Sequence, residues 1–107
     1  MENIHFHVDE TEWQTLPEQA WRAYLFKELL NRHKGGSREY IFGFAEVAGG
    51  GKLPPHTHRH ELALHFLSGK AKVRLGKQTV ELESNSGAFF PANKPHSIEA
   101  LGSEPLQ

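Results

Sequence analysis

The sequence has no cysteine, and this absence limits the kinds of site that the chain can build. Neither a disulfide nor a thiolate–metal bond is possible, so a metal ion would have to be held by nitrogen and oxygen ligands. Aspartate is nearly missing too, because Asp9 is the only one. A metal-free isomerase that works through a His–Asp acid–base pair is therefore not favoured.

Long apolar runs and blocks of positive charge are also lacking. The 107 residues carry a formal net charge of −1, and the lysines and arginines are scattered, which argues against nucleic acid as a partner. No stretch is long enough to cross a bilayer, and the first residues lack the basic and apolar parts of a signal peptide. We expect a cytoplasmic protein, away from membranes, with residues 1–107 forming one domain.

What the chain does have is histidine and short strand-like segments. Eight histidines are present, and three of them fall within residues 56–60. Turns rich in Gly, Pro, Asn and Ser divide residues 35–107 into segments of strand length, which indicates an all-β sandwich or barrel. These segments are residues 40–48, 60–67, 71–75, 78–82, 88–91 and 97–101.

The clearest hairpin joins residues 70–75 to residues 78–82 through Gly76-Lys77. Apolar residues alternate with polar ones along both strands, so one face should be packed and the other hydrated. The predicted packed face consists of Ala71, Val73, Leu75, Val80 and Leu82.

Residues 17–31 can be interpreted in two ways. Trp21, Leu25 and Leu29 recur at helical spacing after a Pro-Glu start, and the residue types favour a helix. Trp21, Ala23 and Leu25 could equally line one face of a strand. Local propensity alone favours the helix.

The first chemical motif is His56-Thr57-His58, which follows Pro54-Pro55. Side chains at i and i+2 of an extended segment point to one side, so both imidazoles can reach one ion. The prolines favour extended backbone and suit the edge or mouth of a barrel. The alternative is a pair of surface histidines on a polar loop.

The second motif runs from Gly87 to His96. Phe89-Phe90 is typical of a buried strand end, and residues 91–95 predict a tight turn in which Asn93 takes positive φ. His96 then begins the next strand. Taken alone, His96 could simply cap that turn by hydrogen bonding.

Together the two motifs resemble those of the cupin superfamily. Residues 50–69 fit its first motif at Gly50, His56, His58 and Gly69, and residues 85–100 fit its second at Pro91, Asn93 in a glycine place, and His96. The resemblance implies a double-stranded β-helix, or jelly-roll barrel, with a short helix or extra strand before it. It also favours a strand over a helix for residues 17–31, and it is specific for fold but not for reaction.

The resemblance implies a metal site, but three motif places differ. The place of the family's glutamate falls on Leu62, with Glu61 one position early; the second motif's first glycine falls on Asn85 and its last asparagine on Ala100. Two ligand sets follow. Either His56, His58 and His96 bind the metal with water or substrate, or a β-bulge also swings Glu61 inward. His60 is a less favoured ligand.

Imidazole ligands suit Fe, Zn, Mn, Ni or Cu, and the sequence does not choose among them. The resemblance implies a small-molecule enzyme, such as a non-haem metal dioxygenase. Without the family's anionic glutamate the metal would keep more positive charge, so we expect a small, anionic substrate. The alternatives are an isomerase or lyase that uses the metal as a Lewis acid, and a non-catalytic ligand-binding or sensor protein. We expect the pocket to be lined mostly by apolar side chains, namely Tyr40, Phe42, Phe44, Leu62, Leu64, Phe66 and Phe89. The opposite face of the first strand, with Ile41, Ala45 and Val47, is the alternative to Tyr40, Phe42 and Phe44.

Few residues follow the last predicted strand, after a turn at residues 102–105. Because cupin barrels usually continue into another strand here, an unpaired sheet edge is expected. This predicts a homodimer in which that edge or a strand at residues 5–8 pairs across the interface.

Overall fold

The computed structural model describes residues 8–30 and 42–107, and over these ranges the chain is mainly β-strand. Two short 3₁₀ helices, Val8–Glu10 and Gln19–Trp21, precede the strands. The strands are β1 Tyr24–Leu30, β2 Phe42–Val47, β3 Lys52–His56, β4 Leu62–His65, β5 Lys70–Leu75, β6 Gln78–Leu82, β7 Gly87–Phe90 and β8 His96–Leu101. The predicted all-β class is confirmed. No described helix is long and apolar enough to cross a membrane.

The described strands pair as three sheets, and every pairing is antiparallel. The largest has four strands in the order β3-β8-β5-β6, while β1 pairs with β2 and β4 pairs with β7. Strands distant in sequence therefore lie side by side, and β3 comes to lie next to β8. This crossover brings the two sequence motifs together.

The register of the four-stranded sheet separates an inner face from an outer one, because directly paired residues point to the same side. One inner row runs His56, His96, Leu75, Gln78, and the next runs Leu53, Ile98, Val73, Val80. The outer face carries the row Lys52, Glu99, Lys72, Glu81. Charges on that outer row alternate in sign, which favours this register over a slip by one residue.

The inner face packs into one core. Phe90 of β7 is the largest fully buried side chain, with 1% of its surface exposed. The core consists of Val47, Leu53, Phe66, Ala71, Val73, Phe90, Ile98, Ala100 and Leu106. Burial of this apolar surface is the main term that holds the sheets face to face.

The predicted hairpin is confirmed, with β5 and β6 paired across Gly76-Lys77. The expected packed face is realised on β5, where Ala71 and Val73 are buried. On β6 it is only partly covered, since Val80 is 50% exposed. Strand β6 thus leaves part of its apolar face open.

The helix favoured by local propensity for residues 17–31 is wrong over Tyr24–Leu30, which forms β1. Pairing with β2, whose residues lie well beyond it in the sequence, overrides the local preference. Lys27 on β1 is buried, donates a hydrogen bond of 2.8 Å to the Val8 carbonyl, and lies 4.6 Å from the centre of the Trp13 ring. These contacts fasten the segment before β1 to the sheet.

After β8 the chain returns to the core. Leu106 is buried and exchanges two backbone hydrogen bonds of 2.8 Å with Val47. The strand expected at residues 5–8 lies outside the described residues except for Val8, which begins a 3₁₀ helix. The homodimer stays a prediction.

Two glycines with positive φ predict a graded effect of alanine on stability. Gly69 (φ +85°) would place a Cβ 2.7 Å from the Pro105 carbonyl oxygen, whereas Gly102 (φ +77°) has open space around it. Gly102→Ala should lower the free energy of unfolding by about 1 kcal/mol from backbone strain alone. Gly69→Ala should cost about 1 kcal/mol more, because Pro105 must also move. Urea unfolding followed by circular dichroism measures both, and equal losses would contradict the close packing at Gly69.

Candidate metal centre

The first two histidines are presented by the end of β3. Pro54 and Pro55 interrupt the pairing of β3 with β8, and the register shifts between Leu53 and His56. Because β3 lies at the edge of its sheet, the missing proline N–H groups cost little there. His56 closes the strand and His58 follows just beyond it.

The third histidine is delivered by the turn between β7 and β8. Asn93 has a φ of +62°, as predicted, and its backbone N–H donates a hydrogen bond of 2.8 Å to the His58 carbonyl. His96 begins β8 and pairs directly with His56. The two motifs are therefore joined by backbone contacts as well as by their side chains.

The three imidazoles converge. One ligand nitrogen from each of His56, His58 and His96 lies within 4.8 Å of the others. The ring centres are 4.3 Å apart for His56 and His96, 4.8 Å for His58 and His96, and 5.7 Å for His56 and His58. Nitrogens grouped in this way could hold one metal ion.

Each ring is held in one orientation by a backbone carbonyl. The Nδ1 atom lies 2.7 Å from the Pro54 carbonyl oxygen in His56, 2.7 Å from that of His60 in His58, and 3.0 Å from that of Lys94 in His96. A carbonyl oxygen only accepts, so each Nδ1 carries the proton and donates it. In the neutral form of each ring, Nε2 is then left with a free lone pair, the state that binds a metal.

His96 gives the strongest indication of a ligand. Its side chain is 2% exposed, and its Nε2 is buried without a hydrogen-bond partner. Burial lowers the pKa of His96 below its ordinary value and, although the Lys94 carbonyl opposes this, the nearby His56 and His58 rings lower it further. A neutral imidazole with an unpaired buried nitrogen fits a metal ion well, because coordination would satisfy that nitrogen.

Glu61 and His60 lie outside this group. Both side chains are exposed, and neither contributes to the convergent set found among the described residues. Leu62 begins β4, pairs with Phe90, and packs against the core. Apolar Leu62 thus stands inside the barrel where the family's motif has glutamate, while His60 acts through its backbone carbonyl on His58.

The other two departures from the family motifs are accommodated by the backbone and the core. Asn85, in the place of the second motif's first glycine, has a φ of +63°, and Asn93 in another glycine place has +62°. Asparagine tolerates this left-handed conformation better than other non-glycine residues. Ala100, in the place of asparagine, is buried in the core.

Aromatic side chains surround the histidines, and the sequence motifs did not reveal two of them. Trp21 meets His56 edge to face with ring centres 4.8 Å apart, and Tyr24 packs against Trp21 at 5.8 Å. Phe90 stacks on His96 at 4.3 Å with the planes 7° apart. Burial, and to a lesser degree the charge of Glu28, raises the pKa of Tyr24. The spacing of Trp21 carries no signal for this contact, which depends on how the segment before β1 lies over β3.

The side chains predicted to line a pocket are dispersed. Tyr40 lies outside the described residues, Phe42 is exposed, and Phe44 packs near Trp13. Leu62 and Leu64 are partly buried against the core, and Phe66 is inside it.

A groove of about 460 Å³ lies between the β5–β6 hairpin and β7. Of the predicted pocket residues, Phe89 alone is among its lining side chains. The lining consists of Val73, Leu75, Gln78, Thr79, Val80, Leu82, Gly87, Ala88, Phe89 and Phe90.

Comparison with known proteins identifies the family. The Cupin domain profile matches residues 43–107, so the chain belongs to the cupin family. The chain is similar to mannose-1-phosphate guanylyltransferase RfbM of Salmonella typhimurium, with 35% identity over 72 residues, which is 65% of this chain and 15% of that protein. The chain therefore corresponds to a small part of that relative's length.

Solved structures show the same jelly-roll fold. The polyketide cyclase RemF from Streptomyces resistomycificus matches with a TM-score of 0.82 and 20% identity, over 99% of this chain and 74% of that one. The Lactobacillus farciminis oxalate decarboxylase formate complex matches with a TM-score of 0.79 and 20% identity, over 94% of this chain and 30% of that one. At this identity the likeness concerns the fold.

The contact between Trp21 and His56 predicts an optical signal for metal binding. In a Trp13→Phe variant, Trp21 is the only tryptophan, and Co²⁺ or Ni²⁺ bound at the three histidines should quench its fluorescence at one equivalent. In the matched Trp21→Phe variant, the remaining Trp13 contacts Phe44 and Lys27 instead, so its emission should change little. Metal uptake that leaves Trp21 emission unchanged would contradict the geometry.

Proposed function

We propose that this protein binds one divalent transition metal ion through the Nε2 atoms of His56, His58 and His96, and uses it on a small anionic substrate. The observation that carries the proposal is the set of three imidazoles, each oriented by a carbonyl at Nδ1, with the buried Nε2 of His96 left unpaired. A buried nitrogen without a partner lowers the stability of the protein, and a metal ion bound to it would remove that cost.

The reaction class that we favour is oxidation of the substrate by O2, as in a non-haem dioxygenase. A metal held by three neutral nitrogens supplies open positions for O2 and substrate, or a Lewis acid for a carbonyl. The protein's own part is to fix the imidazoles and exclude water from them. Trp21 covers His56 on one side, and Phe90 covers a face of His96 on the other.

The preference for an anion follows from the ligand charges. No carboxylate joins the three imidazoles, because Leu62 stands in the place of the family's glutamate and the Glu61 side chain is exposed. The imidazole ligands are neutral, so they add no negative charge to offset that of a bound divalent ion. A carboxylate would compensate that charge. The formate complex named for the Lactobacillus relative agrees with this preference, although its likeness to this chain is one of fold.

A second candidate is a metal-dependent binding or sensor protein without catalysis. The observation in its favour is that no side chain lining the groove is ionisable, so the groove supplies no general acid or base. An isomerase or lyase would require such a group or a metal-bound water. O2 consumption by the Fe²⁺-loaded protein with candidate carboxylates separates an oxygenase from a binder. We also propose that the protein is cytoplasmic and forms a homodimer.

Two variants test the ligand set. His58→Ala should lower metal affinity by at least about tenfold, because loss of a ligand costs no less than loss of a group that orients one. Glu61→Gln, which removes an exposed carboxylate in the next turn, should leave metal content unchanged. Metal analysis after dialysis against a weak chelator measures both. Full metal retention by His58→Ala, or loss in Glu61→Gln alone, would overturn the proposed ligand set.

A further inference from the structure

The groove between the hairpin and β7 has no ionisable side chain in its lining, which combines apolar residues with Gly87 and the polar residues Gln78 and Thr79. The exposed parts of the apolar lining include Val80, which is 50% exposed, and Phe89, which is 54% exposed. A charged group would find no counter-charge among these lining residues. The groove thus suits an uncharged apolar group.

The groove and the histidine site share two walls. Leu75 lines the groove and pairs directly with His96 across β5 and β8. Phe90 also lines the groove, and its ring stacks on the His96 ring at 4.3 Å. The groove therefore adjoins the histidine site across these two side chains, while none of the three histidines is part of its lining.

The sheet register relates the groove to the histidine site. The inner row that begins with His56 and His96 continues through Leu75 to Gln78 on β6. Neighbouring strands lie about 4.8 Å apart, so the row extends about 10 Å from His96 to Gln78. This is the length of a short aliphatic chain, and the groove volume of about 460 Å³ is that of a small-molecule site.

We propose that the groove is a subsite for the aliphatic tail of a monocarboxylate whose carboxylate group binds at the metal. This rests on the proposed metal site and adds to it the substrate class. The head of the ligand meets the positive charge held by the histidines, and the tail leaves water along Leu75, Val80 and Leu82. A second charge on the tail is disfavoured, because the described groove residues offer no counter-charge.

The test uses the full chain loaded with Co²⁺, whose visible spectrum reports displacement of water by a carboxylate. Affinity should rise from acetate through butanoate to hexanoate by about twofold for each methylene, less than the roughly fourfold of full burial because the groove is partly open. Hexanoate should then bind at least about tenfold more tightly than acetate. Hexanedioate should lose most of that gain.

A matched pair of variants locates the tail. Val80→Asn places an amide in the groove and should flatten the dependence on chain length without changing acetate affinity. Glu81→Gln changes the neighbouring residue, which lies on the outer face of the same strand, and should leave the dependence intact. Sedimentation of each protein checks that neither variant alters the oligomeric state.

The outcomes separate this inference from the proposed function. If Co²⁺ binds and acetate displaces water but chain length has no effect, the tail subsite is wrong and the metal site stands. If a second copy of the chain occupies the groove, chain length also has no effect, and Val80→Asn alters the oligomeric state; this overturns the inference as well. If the chain takes up no Co²⁺, the proposed function fails and the inference fails with it.

Discussion

The histidine site depends most on three hydrogen bonds between imidazole Nδ1 atoms and backbone carbonyls. The carbonyls of Pro54, His60 and Lys94 each lie two residues from the histidine they orient. Short local bonds of this kind fix the tautomer and turn the second nitrogen away from the backbone. The orientation of the three imidazoles is thus set by the local chain path at two turns, and the barrel then brings those turns together.

The fold supports this arrangement at some cost. His96 is buried with one nitrogen unpaired, and a buried polar atom without a partner lowers stability. The Phe90 ring stacked on it, the pairing of β8 with both β3 and β5, and the hydrogen bond from Asn93 to His58 hold the site in place nevertheless. A metal ion would remove the cost, so metal binding and stability should be coupled.

Much of the fold was predictable from the sequence, because turn residues and alternation act locally. The β5–β6 hairpin and the positive φ of Asn93 followed from residue types alone. The convergence of the histidines was implied by the resemblance of the two motifs to those of the cupin superfamily. Strand β1 was not predictable from local propensity, since its pairing with β2 decides its conformation. The contact of Trp21 with His56 and the groove beside β6 depend on packing between distant elements, which spacing does not encode.

The tautomers of the three histidines provide the most direct test. Long-range ¹H–¹⁵N correlation spectra of the metal-free protein distinguish a protonated Nδ1 from a protonated Nε2 in each neutral ring. The structure predicts that His56, His58 and His96 all carry the proton on Nδ1. A proton on Nε2 in any of the three would contradict a site built to present three free Nε2 atoms to one ion.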